Sequence, residues 1–501
     1  MADADIAMTN SNTASTPPMP SCPFQKVPLE VLLRITYFLK TPELGNVRLT
    51  CRSIEQSLYT TFIQEFFTRK QFMLSDVSLQ ALIDISKSRL GGHLRMVHFG
   101  LDRFPPTAQG QPSPEQDMKL IQRHAGMFTL WNSGYHRDML AEAFGNLQNL
   151  EDVVIRDFNS SRRSRDGPYQ QWTSYGSTTA NRETGVRITQ DSSHMWYTDF
   201  SHNFSSQIFA AVLMALGQAK ARPKGIEVMA RRGNPLKNFA FNIAPYMESS
   251  VMPVLQNLEK LHVDIDMTWR NGATGAERAR TPEAASYMIR NFLLNTTNLR
   301  HLRINEVHSD ESCLSGVLEW LAKPSSTSSS SPASTSTSLP VIPSPAFAQL
   351  EELNLGQMKV EASWILNVVR KLAPTLKRLE IWRVTLLRTL PDNHANGQLH
   401  VSFWTKFLER LRSIPGLDLR HIKAGHLDQQ WRSRSSKSAV SFGGKETVVA
   451  YTGTDWKHFI GEVISRISVR YALDDGDISD GTGEENDDFS DGIWDLYALD
   501  L

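Results

Sequence analysis

Fourteen histidines and three cysteines (Cys22, Cys51 and Cys313) are the side chains of this 501-residue chain with most scope for metal or nucleophilic chemistry. Their spacing supplies neither. The histidines are scattered, and no H-E-x-x-H, G-x-S-x-G, Walker loop or helix-opening G-x-G-x-x-G occurs. Three cysteines, none in a C-x-x-C pair, cannot build a disulfide framework or a zinc cluster, and such usage fits a reducing compartment. His98, His262 and His301 fall in expected strands, where surface or cross-strand positions are ordinary. Cys51 lies on an apolar helix stripe and reads as a small buried hydrophobe. Asp475-Gly476-Asp477-Ile478-Ser479 begins like a calcium loop. Its sixth and twelfth positions are Asp480 and Asn486, where that loop needs Gly and Glu. No catalytic, metal or cofactor-binding residue is assigned, and the expectation is a protein that is not an enzyme.

Two basic clusters lie near aromatics: Arg162-Arg163-x-Arg165 by Tyr169, Trp172 and Tyr175, and Arg432-x-Arg434 through Lys437 by Trp431. Single-stranded nucleic acid is held by basic residues interleaved with stacking rings. These clusters are short and far apart, so loops or a surface for an acidic target is the better reading, and no nucleic-acid partner is expected. Ser331-Pro332 and Ser344-Pro345 are candidate proline-directed phosphorylation sites, as any Ser/Pro-rich segment would contain. The charge of the whole chain balances at 53 basic and 53 acidic residues. Asp474–Leu501 holds eleven of the acidic residues and no basic one, leaving the remainder at a net +11. Trp494, Leu496, Tyr497, Leu499 and Leu501 end this segment; it reads as a solvated acidic tail (471–501) with scope for a short docking motif. The longest apolar run, about Ile208–Leu216, is well short of the roughly 20 residues of a spanning helix, and the N-terminus lacks an apolar secretory core. The expectation is a soluble protein of the cytoplasm, the nucleus or both, with no membrane partner.

The elements come next. Residues 1–23 read as a disordered leader. From Phe24 to Phe67 three short helices are expected. Val31, Leu32, Ile35, Phe38 and Leu39 fall on more than one side of the first helix, so it must be covered on more than one side. Thr41 with Pro42 and Glu43 reads as the cap and opening turn of the second, which carries Leu44, Val47 and Cys51. Ile54, Leu58, Phe62 and Phe66 stripe the third at steps of four. Such a small module usually needs a partner. Beyond it helix and strand alternate: Gln71–Leu74, a helix capped by Ser75 and ended by Gly91-Gly92, then His93–Phe99. Residues 286–307 align without a gap on 363–384, with Ser286/Ser363, Leu299/Leu376, Leu302/Leu379, Ile304/Ile381 and Val307/Val384 identical. The strand signature L-x-x-L-x-I recurs as Leu150-x-x-Val153-x-Ile155, Leu258-x-x-Leu261-x-Val263 and Leu350-x-x-Leu353-x-Leu355. Ile226-x-Val228 and Leu417-x-Leu419 are weaker copies. The expected fold is α/β: parallel strands inside, helices outside, repeated irregularly over 68–470. A Ser/Thr/Pro low-complexity insert (323–346) and a long loop (158–190) interrupt it.

The stretch VPLEVLLRITYFLKTPELGNVRLTCRSIEQSL resembles the F-box motif. Val27-Pro28-Leu29-Glu30, Leu32, Ile35, Leu39, Leu44, Val47, Cys51 and Arg52 match it position by position. Val27 stands where Leu is usual, and Ile54 where Trp is usual. The sequence onward to Phe99 resembles fungal F-box proteins, and the repeat region is similar in architecture to leucine-rich-repeat receptors. The resemblance implies an F-box over 24–67 followed by an irregular leucine-rich-repeat-like solenoid. It further implies the substrate-recognition subunit of a Skp–cullin–F-box ubiquitin ligase, with the repeats holding an unknown protein target. Pro28, Leu29, Glu30, Leu32, Ile35, Leu39, Leu44, Val47, Cys51 and Arg52 would then bind the Skp-family adaptor and, through it, a cullin. A ligase-independent interaction scaffold with an F-box-like helical cap is the alternative; an enzyme without a recognisable motif is a remote third.

Overall fold

A computed structural model describes residues 23–105, 112–159, 164–167, 173–186, 203–267, 282–307, 315–325, 342–389 and 400–471. The expected leader, most of the Ser/Thr/Pro insert and the acidic tail lie outside the described residues. The chain divides into two compact units, Met1–Glu65 with Arg162–Gln170, and Phe66–Ser161 with Gln171–Leu501.

The first unit holds the three expected helices, α1 (Leu29–Tyr37), α2 (Thr41–Arg48) and α3 (Arg52–Phe66). Leu32, Leu44, Ile54, Leu58 and Ile63 are its buried apolar residues. Phe62, from the expected stripe, is half-buried beneath the Arg48 guanidinium, 3.3 Å from its ring centre. Two helix ends are completed by a distant segment. The Arg165 Nη1 donates at 2.8 Å to both the Thr36 and Leu39 carbonyls, where α1 ends. Its Nη2 donates to Glu65 Oε2 at 2.6 Å. Asp166 accepts from the Thr41 amide (2.9 Å) and hydroxyl (2.6 Å), where α2 begins. A cation thus meets orphan carbonyls and an anion meets orphan amides, the arrangement helix ends favour. Thr41 is therefore the first helical residue of α2, with Lys40 at the cap position, and the capping oxygen comes from Asp166.

The second unit is mixed α/β around a parallel-rich sheet. Its strands are β1 (Arg69–Met73), β2 (Met96–Gly100), β3 (Asp152–Arg156), β4 (Gly225–Met229), β5 (Leu236–Lys237), β6 (Lys260–Asp266), β7 (His301–Glu306), β8 (Glu352–Gly356), β10 (Arg378–Trp382), β12 (His421–Gly425) and β15 (Val448–Thr452). The order is β1-β2-β3-β4-β6-β7-β8-β10-β12-β15, with β5 beside β6. Every pairing is parallel except β12–β15. Two apolar rows run across the sheet in register. Val97, Val153, Ile226, Leu261, Leu302, Leu353, Leu379 and Ile422 form one; Phe99, Ile155, Val228, Val263, Ile304, Leu355, Ile381 and Ala424 form the other. Both rows belong to one continuous core with the helices α4 (Asp76–Lys87), α5 (Pro114–Asn132), α6 (Tyr135–Asn146), α7 (Ser177–Thr184), α8 (Phe204–Ala219), α9 (Pro245–Asn257), α10 (Pro282–Leu294), α11 (Ser315–Ala322), α12 (Ala362–Leu372), α13 (Phe403–Arg412) and α14 (Trp456–Arg466). The apolar run read at Ile208–Leu216 lies in α8, buried around most of its circumference. The gapless self-alignment joins α10–β7 to α12–β10, which are separated in the sheet by β8, the strand between them.

Three expectations shift. Leu417-x-Leu419 is not a strand; the signature there is Leu419-x-x-Ile422-x-Ala424, and the small Ala424 hid its phase. The loop placed at 158–190 contains α7 and a segment that closes the sheet edge. The Tyr175 amide donates to the Gln71 carbonyl at 2.8 Å and bridges Phe72, and Ser78 Oγ donates to the Tyr175 carbonyl at 2.9 Å. An open edge strand would otherwise invite pairing with another chain. Finally, β9 (Lys359–Glu361), β11 (Thr385–Arg388), β13 (Asp428–Trp431), β14 (Ser438–Phe442) and β16 (Ile467–Arg470) form a second sheet that the sequence reading lacks. Gln357, Arg383 and His426 turn the chain from β8, β10 and β12 into it with φ of 55°, 53° and 51°. Glycine signals such turns; these residues are not glycine, and the turns went unread.

Candidate functional site

Two surfaces qualify. On the helical unit, Leu29, Val31, Ile35, Tyr37, Phe38 and Leu49 are 47, 49, 38, 60, 68 and 85% exposed. Among the described residues α1 is buried at Leu32 and Thr36 and half-buried at Leu33, as is Leu39 just beyond it, so the covering expected on its other sides is not supplied by them. The Tyr37 and Phe38 rings meet edge to face at 5.4 Å, and the Arg34 guanidinium lies 5.0 Å from the Phe38 ring centre. Of the ten residues named from the F-box resemblance, Pro28, Leu29, Glu30, Ile35 and Arg52 are exposed. Leu39, Val47 and Cys51 are half-buried, and Leu32 and Leu44 are interior. Tyr37, Phe38 and Leu49 extend the face beyond the motif positions. A hint lay in the sequence: three further apolar residues in a module too small to bury them. A smaller apolar stripe (Met118, Ile121 and Phe128) stands exposed on α5 of the sheet unit.

The second surface is the polar face of the sheet, formed by the strand positions between the apolar rows. Its charges are paired across strands. Lys260 Nζ reaches Asp152 Oδ1 at 2.9 Å and Glu227 Oε1 at 2.7 Å, and His262 Nδ1 lies 3.4 Å from Glu227. Burial would raise the Glu227 carboxyl, but His262 and Lys260 hold it well below its usual range. Burial would lower the Lys260 amine, and Glu227 and Asp152 instead raise it. Farther along, the Glu352 carboxylate lies 3.1 Å from His301 Nδ1 and 3.3 Å from Arg378 Nε. Against the upward push of burial, His301 and Arg378 bring its carboxyl down to about 2. His421 Nε2 lies 3.3 Å from Glu380. His98 is different: burial, reinforced by Arg156, keeps its imidazole far below its ordinary value and therefore neutral. At the strand ends Asp157 accepts the Arg231 and Arg232 amides at 2.8 and 2.7 Å, yet burial still raises its carboxyl to about 6.

Register is reinforced where each strand begins. Arg95, Glu151, Lys224, Glu259, Arg300, Glu351, Lys377 and Arg420 occupy successive entry positions, linked by backbone hydrogen bonds, and their charges alternate in sign as far as Lys377. Asn149, Asn257 and Asn298 each donate a side-chain amide to carbonyls of the preceding strand entry or helix end, at 2.7, 3.0 and 2.7 Å. The Asn-Leu pairs at 149–150, 257–258 and 298–299 are the sequence signal that could have revealed this rung.

Among the described residues no helix is long and apolar enough to cross a membrane. No family model matches the sequence. No curated protein matches it. One solved structure, "Crystal structure of Rad7 and Elc1 complex in yeast", aligns over 79% of this chain and 87% of that chain, at 9% identity and a TM-score of 0.22. Likeness at that level carries no argument.

Proposed function

We propose that this chain is a non-catalytic receptor, the F-box subunit of a Skp–cullin–F-box ubiquitin ligase. Its helical unit captures the Skp-family adaptor, and its sheet unit, read as a leucine-rich-repeat-like solenoid, holds a protein target. One observation carries the reading: six large apolar side chains on and around α1 and α2 stand in solvent. Exposed large apolar side chains clustered in one small unit mark an interaction site, and apolar helical residues dock into apolar grooves of a partner. The apolar residues of the unit divide the labour. The exposed Leu29, Ile35 and Phe38 would bind, while the buried Leu32 and Leu44 keep the unit folded.

The test is co-purification of the full-length chain with a Skp-family adaptor. Replacing an interface anchor costs about 2 kcal/mol or more, roughly thirtyfold in affinity. Leu29→Asp with Phe38→Asp should therefore abolish capture without unfolding the chain. Equal adaptor binding by a chain lacking residues 24–67 would sink the proposal. The scaffold reading, in which the helical unit serves no ligase, draws on the Arg165–Asp166 contacts that give the unit internal support. Under it the folded wild-type chain captures no adaptor.

A further inference from the structure

We propose that the acidic-aromatic segment Trp494–Leu501 of this chain docks in the groove between α12 and α13, an intramolecular contact that does not depend on the ligase reading. The groove has a volume of about 450 Å³ and opens to solvent. The exposed Pro415 and the edges of the buried Leu366 and Ile414 form its apolar floor; Arg370 and Arg410 stand on its two sides with Glu409. Arg370 donates to Asn367 Oδ1 at 2.6 Å. Neither arginine has an acidic partner among the described residues, whereas Lys260 and Arg378 on the sheet's polar face are both paired with carboxylates. The groove therefore offers an apolar floor beside two arginines that outnumber its one carboxylate, Glu409.

The C-terminal sequence is the complement. Trp494, Leu496, Tyr497, Leu499 and Leu501 alternate with Asp491, Asp495 and Asp500, and no basic residue occurs after Asp474. The described chain also ends in a suitable place. Past β16, the Tyr471 ring packs edge-on against His400 at 4.6 Å, just before α13 begins at Phe403. α13 is about 15 Å long at 1.5 Å per residue. The residues between Tyr471 and Trp494 can span up to roughly 75 Å when extended, so reach is no obstacle. Tethering places the segment at an effective concentration in the millimolar range, enough to populate a weak contact. Exposed charge pairs are screened over about 8 Å at physiological salt, so the contact should weaken as salt rises.

Hydrogen exchange on the full-length chain tests this. Amides of 490–501 should exchange at least tenfold more slowly than those of 474–488. Trp494→Ala with Tyr497→Ala should erase that difference and speed exchange in 363–372 and 407–415. Arg370→Glu with Arg410→Glu should do the same. The Trp494/Tyr497 variant leaves the groove untouched, so misfolding of the charge-reversed variant would not spare the proposal. Unprotected exchange throughout 490–501, or protection that survives both variants, overturns it. So does protection that grows with protein concentration, which would place the segment on a second copy.

Discussion

Between Leu29 and Leu49 the helical unit leaves six large apolar side chains in solvent. Across the sheet unit, by contrast, even charged groups such as Glu227 and Lys260 are enclosed and matched. The contrast follows from size. Three short helices have too little interior for their apolar residues, while the large sheet, with a helical layer, has room to enclose its apolar rows and several charged pairs. A surface already paired gains little by binding one more charge, because each existing pair would have to be broken. An apolar face in water gains by any burial. The helical unit thus has more to gain from burial, and the sheet unit's polar face, whose charges are largely paired, has less.

Breaking a pair on the polar face should have the largest effect. Lys260→Met leaves Glu227 and Asp152 facing each other without their shared cation, and should cost about 3 kcal/mol. Chemical denaturation measures it, and adding Glu227→Gln should recover part of the loss. If Lys260→Met is neutral, the pairing there is ornamental and the contrast fails.

Next is the pH dependence carried by Glu352. Its carboxyl is held at about 2 in the folded chain, below its ordinary value of 4.5. The contribution is complete above pH 4.5 and is lost as pH falls toward 2. The stability gap between wild type and Glu352→Gln should reach at most about 3 kcal/mol at pH 6 and close between pH 4.5 and 2. A gap that stays constant over that range would remove Glu352 as its source.

Arg165→Ala should cost about 2 kcal/mol, through lost charge-assisted hydrogen bonds to two helix-end carbonyls and to Glu65. The loss should appear in proteolysis of 24–65 before it appears in the sheet unit. The smallest effect sharpens the comparison most. Phe38→Ser with Leu49→Ser should change stability by less than about 0.5 kcal/mol, because neither side chain is covered. A large drop in thermal unfolding temperature would show that these residues pack within the chain.

The sequence was most readable where burial is periodic. The strands announced by L-x-x-L-x-I formed with the second Leu and the Ile in register, because a parallel sheet buried against helices requires apolar residues there. The three N-terminal helices were legible for the same reason. What escaped depends on distant partners or on backbone angles. Asp166 completes α2 from a segment 125 residues away, which no local pattern discloses. Gln357, Arg383 and His426 take left-handed conformations that their side chains do not advertise. At the candidate site, the ten motif positions were visible in the sequence, but only solvent exposure separates Leu29 and Ile35 from Leu32 and Leu44. Periodicity alone could not tell an outward apolar residue from an inward one.

The segment between β3 and β4 also sets a timetable for synthesis. Gln71 waits 103 residues for Ser174, and Thr36 waits 129 for Arg165. A ribosome adding about 5–20 residues per second needs roughly 5–25 s to deliver them. During that interval α1 ends on bare carbonyls and β1 presents an unguarded edge to whatever strand is nearby. The nascent chain is therefore most exposed to mispairing before residue 176 emerges, and a pause in translation upstream of that point would lengthen the danger.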